Sequence, residues 1–315
     1  MSFFAVLFAL LIEQLKPLPR DNRIHHLLVS WVGWTSRNFD AGKPHHQIVV
    51  WCVAVLSPAL AVGLVYVAVR EFSLLLALAF DVGLLYLTLG FRQFSHFFTD
   101  IHLALRLGEL DRARSLLGQW RQASSDRLSS GEIARLSIEE ALVGSHRHVF
   151  GPLACFALVG PGGALLYRLS AFFARHWNGG GNDPAAPRAG HFGDFAGKAF
   201  GWIDWLPVRL SAAGFAIVGD FEDAVFCWRS QSANWSDASA GILIASGAGA
   251  IGVRLGQPIH GDLGIGEPDL GDRPEMGMGD EADADYMQST IGLVWRTLLL
   301  GLMVLALVWV SGWVG

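Results

Sequence analysis

The chain has 315 residues, of which 52% are hydrophobic and only 16% are charged, with a formal net charge of −5. Soluble domains carry roughly 25% charged residues, so this composition excludes an ordinary water-soluble globular protein, and nothing in it marks a nucleic-acid partner. Three scattered cysteines, Cys52, Cys155 and Cys227, provide neither a disulfide framework nor a zinc site.

Met1 to Leu15 is apolar but carries Glu13, lacks a positively charged n-region and precedes no small-residue cleavage site. It reads as a retained first helix. Ile48 to Val69 and Phe72 to Gly90 each approach the ~20 apolar residues that cross a bilayer. The short turn Arg70-Glu71 joins them as a hairpin, and Pro58 predicts a kink in the first. From Phe91 to Ser145 apolar residues recur at helical spacing (Leu103, Leu107, Leu110, then Ile133, Leu136, Leu142) with charges between them. That pattern predicts two amphipathic helices forming a hairpin against the membrane surface. Their divide falls at Leu128 to Glu132, with Ser129 as N-cap and Glu132 three residues on.

Val149 to Phe173 is the next span. Its run Val159-Gly160-Pro161-Gly162-Gly163 predicts a broken or strongly kinked helix, tolerated in lipid only where protein or a polar cavity covers it. Trp177 to Gly190 reads as a loop. Ala199 to Gly219 is apolar but carries Asp204, Pro207 and Arg209, with Trp202 and Trp205 at interfacial positions. Ser239 to Val253 is rich in small residues and short for a span, so it reads as re-entrant or as a packed core helix. Between Asp262 and Asp285 nine acids stand against one base, Arg273, and the segment reads as a solvated face. Thr290 to Trp313 is a strong final span.

These elements predict an all-α, polytopic integral membrane helical bundle with an amphipathic cytoplasmic helical hairpin and broken or re-entrant helices. The regions are 1–92 (N-terminal membrane helices), 93–147 (amphipathic) and 148–315 (C-terminal membrane region with glycine-rich loops and the acidic loop 262–285). Lysine and arginine set orientation. Residues 16–47 carry Lys16, Arg20, Arg23, Arg37 and Lys43, and residues 92–147 carry eight arginines, which places both stretches in the cytoplasm and Arg70 outside.

No Walker A loop, dinucleotide fingerprint or zinc signature is present, and no metal ligand set is assigned. Gly160, Gly162 and Gly163 read either as a tightly packed helix break or as a nest of N–H groups for an anion. Arg168, Asp204 and Arg209 form the strongest polar candidate in apolar surroundings. They either pair internally or line a cavity for a phosphate or carboxylate. His146 and His148 lie two apart at the mouth of the third span, at an interface or loop, and Glu139 with Glu140 precedes them. Arg92, His96 and Asp100 form a secondary patch on one helical face, or a wet helix start.

Four stretches carry a resemblance: LSIEEALVGSHRHVFGP at 136–152, LVGPGGALLYRL at 158–169, FGWIDWLPVRLSA at 200–212, and the glycine-rich run at 240–271. With GELDRAR at 108–114, they make the chain similar to the CobD/CbiB family of membrane proteins, which includes adenosylcobinamide-phosphate synthases and AmpE-like proteins. The resemblance implies a bacterial multi-pass inner-membrane protein. In the synthase branch it implies amide formation between an aminopropanol moiety and adenosylcobyric acid, using ATP and magnesium with a cobamide precursor as substrate.

The sequence departs from the synthase pattern. No Gly-Arg-Asp-Thr tetrad occurs in SLLGQWRQASSDRLSS at 115–130. The Asn and Asp expected after the glutamates are replaced in ALVGSHRHVFG, the acid expected after Tyr167-Arg168 is absent, and paired aspartates reduce to Ile203 and Asp204. Arg168, Asp204, Pro207 and Arg209 are retained. The missing acids favour a noncatalytic, regulatory or sensory AmpE-like role, with the cobalamin synthase or accessory factor as the alternative. Expected partners are the lipid bilayer and a corrinoid or cell-wall-related small ligand, with homo-oligomerisation compatible.

Overall fold

In lipid, every backbone N–H and C=O must find its partner within the protein, and a helix meets that need within one segment. The computed structural model describes residues 2–16, 23–39, 44–178, 190–259 and 273–314, and they are helical almost throughout. In chain order the helices are α1 (Ser2–Leu15), α2 (Arg23–Phe39), α3 (Pro44–Trp51), α4 (Ser57–Phe72), α5 (Leu74–Thr88), α6 (Phe91–Arg106) and α7 (Leu110–Arg121). There follow α8 (Ser130–Ser145), α9 (Gly151–Val159), α10 (Pro161–Trp177), α11 (Gly190–Val218), α12 (Phe221–Gln231), α13 (Ala238–Ile251) and α14 (Ala284–Val314). One two-residue parallel pair, β1 (Val253–Arg254) with β2 (Asp280–Glu281), is the sheet among the described residues. The protein is an all-α membrane protein. Among the described residues three helical stretches are long and apolar enough to cross a bilayer: Gln47–Phe72, Ser130–Val159 and Ala284–Gly312. Their outer faces expose Leu60, Leu64, Val159, Leu299, Leu307 and Val308, side chains that only lipid would cover at little cost.

Pro58 sits within the first of these stretches without ending it. A π-helical turn, Cys52–Leu56, precedes it, and Ser57 N–H bonds back five residues to the Cys52 carbonyl. The widened turn gives the proline ring room against the carbonyl four residues behind. The same device recurs at Pro152, after the π-helical turn His146–Phe150. Pro152 cannot donate to the His148 carbonyl four residues back, and Gly90 N–H takes that acceptor instead at 3.1 Å.

The chain divides into two compact units. The first comprises residues 1–90, 147–207 and 305–315. In it α1 packs on α5 through Ala5, Val6, Ala9 and Leu10, while α10 packs against α4, α5 and α9. A core of Val50, Trp51, Ala54 and Val55 meets Leu169, Phe173 and Trp177 of α10 and Ala196 and Ala199 of α11. The second unit comprises residues 91–146 and 208–304. Here α6 packs on α7 and α8, and α13 lies between α8 and α12. Every residue from Ala240 to Ala250 is buried, so the small-residue segment is a packed core helix in which Gly249 meets the α12 backbone at Asp223.

Three sequence expectations are corrected. The amphipathic stretch holds three helices, because Gly108, with φ +73, ends α6 before α7 starts. His146 and His148 lie in a π-helical turn within one continuous helix from Ser130 to Val159, not in a loop, because the widened turn carries the helix past Pro152. The amphipathic and apolar parts of that helix are therefore one element. The expected N-cap is present in full: Ser129 and Glu132 form a reciprocal capping box. The loop at 179–189 and residues 262–272 of the acidic segment lie outside the described residues.

Candidate functional site

In the first unit the break at Gly160 positions the polar groups. Gly160 has φ +81 and ψ −160, a backbone region open essentially to glycine alone, and Pro161 then starts α10 with its φ already set. α10 consequently packs on α9 and carries Tyr167 and Arg168 into the unit. Tyr167 is fully buried and its hydroxyl donates to Asp204 Oδ1 at 2.9 Å, with Asp204 itself 1% exposed. Arg168 Nη1 donates to His148 Nδ1 at 2.9 Å. Because a guanidinium has no acceptor, His148 must take this bond on an unprotonated Nδ1 and carry its proton on Nε2. The unit thus holds a buried carboxylate anchored by a phenol, and a guanidinium oriented by an imidazole, within apolar helices. Such groups are costly in that setting unless satisfied, and are a common mark of function.

The second unit builds a different polar centre around Glu139 on α8. One oxygen of this buried carboxylate accepts the Gly256 N–H at 2.9 Å, and the other pairs closely with Arg273. Gly256 has φ +75 and sits so tightly under the Pro274 carbonyl that a Cβ would collide with it. That fit lets the 253–257 segment run beside 273–276, where Leu255 and Met276 exchange two backbone hydrogen bonds. Gln231 clamps the same strap, its amide both donating to and accepting from the Gly277 backbone. The Arg273 guanidinium lies 4.8 Å from the Trp235 ring centroid, a cation–π contact. Arg135, one turn before Glu139 on α8, donates to Gln257 Oε1 at 2.6 Å. A groove of about 460 Å³ opens here, lined by Ser129, Glu132, Arg135, Gln257, Pro258 and Glu275.

The sequence candidates therefore divide between the two units. Arg168, Asp204, His148, Gly160, Gly162 and Gly163 belong to the first unit, while Glu139, His146 and Arg209 belong to the second. His146 is 1% exposed, with Nδ1 at 2.8 Å from Ser211 Oγ. His96 and Asp100 form an exposed pair 3.5 Å apart on α6, the kind of contact worth little in water; the Arg92 side chain lies outside the described residues. Sequence reasoning passed over Tyr167, Arg135, Gln257 and Asp81. Asp81 is 2% exposed in an otherwise apolar helix and lines a cavity of about 190 Å³ with Tyr66 and Arg70. A lone acid in such a run was the available signal.

Two titratable groups outside the spans have displaced proton affinities. Burial, and next the charge of Asp223, pushes the Cys227 thiol up to about 11, so it remains a protonated, unreactive thiol at neutral pH. Burial first, and then Arg106, lowers the pKa of His102 on α6.

Comparison with known proteins adds the following. The family model described as CobD/Cbib protein matches residues 4–294. The chain is similar to the "Cobalamin biosynthesis protein CobD" of Stutzerimonas stutzeri (strain A1501), at 31% identity over 99% of this chain and 98% of that protein. It is similar to proteins of the same description from Chromobacterium violaceum, at 32% over 72% of this chain and 69% of that one. A third, from Streptococcus sanguinis (strain SK36), is 27% identical over 82% and 80%. No solved structure matches.

Proposed function

This chain belongs to the CobD/CbiB family, and from that premise we propose that it works in cobalamin biosynthesis as a bacterial multi-pass inner-membrane protein. Its reaction in this reading is the joining of an aminopropanol phosphate to the carboxylate of adenosylcobyric acid. The observation that carries the reading is the similarity, over nearly the whole of both chains, to a protein named for cobalamin biosynthesis.

The chemistry is an amide synthesis driven by ATP. A substrate carboxylate oxygen attacks the γ-phosphorus and ADP leaves; the amine then attacks the acyl carbon and phosphate departs. Guanidinium groups stabilise the charge on phosphoryl oxygens in both steps. Arg168, held by His148, is this chain's group for that work. Asp204, anchored by Tyr167, is a carboxylate suited to accept a proton from the substrate ammonium, freeing the amine to attack. Among the described residues no three His, Cys, Asp or Glu side chains converge as a metal cage. Magnesium carried mainly by phosphate oxygens and water would need only one or two carboxylates.

The test uses the full chain in lipid nanodiscs with adenosylcobyric acid, aminopropanol phosphate, ATP and magnesium. Mass spectrometry should detect the amide, and Arg168→Ala and Asp204→Asn should each lower its rate by about 10²-fold or more. Folded protein that yields no amide and spends no ATP would overturn the synthase reading. It would leave the noncatalytic regulatory reading, which the tetrad absent from 115–130 and the acids absent from 141–151 and 169–177 favour.

A further inference from the structure

We propose that the groove over α8 at Arg135 is a phosphate-binding site that takes an aminoalkyl phosphate. Two guanidinium groups, Arg135 (8% exposed) and Arg273 (side chain 9% exposed), stand near one buried carboxylate, Glu139, which pairs with Arg273 and only attracts Arg135 through its charge. Among the described residues, one buried positive charge thus lacks a buried counter-charge of its own. The deficit shows in the hydrogen bonds as well: Arg135 Nε and Arg273 Nη1 are buried without a partner. Buried N–H groups of charged side chains are rarely left so, and an anion with several acceptor oxygens supplies what both lack.

Gln257 marks the entry. Its backbone is held at φ +54, a left-handed conformation uncommon for a residue with a side chain. Its amide bridges the site, accepting from Arg135 and donating to Glu275 Oε1 at 3.4 Å. Moving that amide aside exposes the Arg135 guanidinium to the groove. Strained residues of this kind cluster at ligand clamps.

The remaining charges at the groove define the rest of the ligand. Glu132 uses its carboxylate on the Ser129 N–H and hydroxyl. Glu275 is exposed beside Arg254, at 3.7 Å. Two rim carboxylates oppose a bare anion but suit a molecule whose phosphate enters toward Arg135 while an ammonium stays at the mouth. The proposal deepens the synthase reading, whose amine substrate has this form. Binding needs no turnover, however, so the two ideas fail separately.

Phosphoethanolamine and inorganic phosphate are titrated into the full chain in phosphatidylcholine nanodiscs, with calorimetry as the readout. Saturable binding is expected, tighter for phosphoethanolamine. Arg135→Gln should weaken it by at least about 10-fold, the factor one lost charge-assisted hydrogen bond implies. Glu139→Gln, which removes the internal counter-charge, should tighten it, an outcome that mere damage to the fold cannot mimic. In nanodiscs containing phosphatidylethanolamine, a raised apparent Kd identifies the lipid headgroup as the native source, and an unchanged Kd identifies a free aminoalkyl phosphate. Absence of saturable binding, or a Glu139→Gln protein that binds no tighter, overturns the proposal.

Discussion

Tyr167 and Arg168 are neighbours in sequence and serve separate partners, Asp204 and His148. Of the four, sequence reasoning named Arg168, Asp204 and His148 and missed Tyr167. A buried tyrosine looks like any core aromatic until the acceptor for its hydroxyl is located in space. Glu139 was legible as a candidate, but its bond to Arg273 spans 134 positions and no spacing rule reaches that far. His102 makes a prediction at this scale. Its folded-state pKa lies below 6.5, so the unfolded chain binds the proton more readily. Its contribution to stability is therefore present above pH 6.5 and is lost as pH falls through the folded value. Thermal unfolding of the full chain should show a fall in Tm on acidification through that window, and His102→Gln should flatten it. An unaltered pH profile in the variant would refute the assignment.

At the scale of elements, the periodicity that marks helices survived the prolines because π-helical turns absorb Pro58 and Pro152. A sequence pattern shows a proline but not the extra residue in the turn behind it, so the expected kink at Pro58 became a local widening. The expected break at Gly160 did appear, because a glycine followed by proline cannot extend the ladder there. Replacing Gly160 by Ala meets no side-chain obstacle, since a Cβ there has nothing within 4 Å, so its cost is backbone strain alone. That strain is about 1–3 kcal/mol. A lowered Tm with unchanged expression is expected for Gly160→Ala, and a variant as stable as the parent would show that the turn has another solution. The division of 91–145 into three helices rather than two rested on Gly108, whose positive φ a glycine at that place permits but does not announce.

For the whole molecule, apolar length implied a membrane, and helices with lipid-suited outer faces agree. Orientation is a separate matter, set by lysine and arginine. With the basic 16–47 and 92–147 segments inside, single cysteines introduced at positions 70 and 120 in a background without native cysteines should differ in labelling. An impermeant maleimide applied to intact cells should modify position 70 and spare position 120. Equal labelling of both would overturn the orientation.

Composition and hydrophobic length, read without any structure, determined that this chain lives in lipid and folds as helices. Those properties belong to local segments, and each segment carries them whole. The distribution of the candidate residues over two units, the burial of 240–250 as core, and the binding of Glu139 by both arms of a glycine-rich strap were decided only by tertiary structure. Long-range hydrogen bonds and ion pairs form between residues far apart in the sequence, and their energies depend on distances that no local pattern encodes.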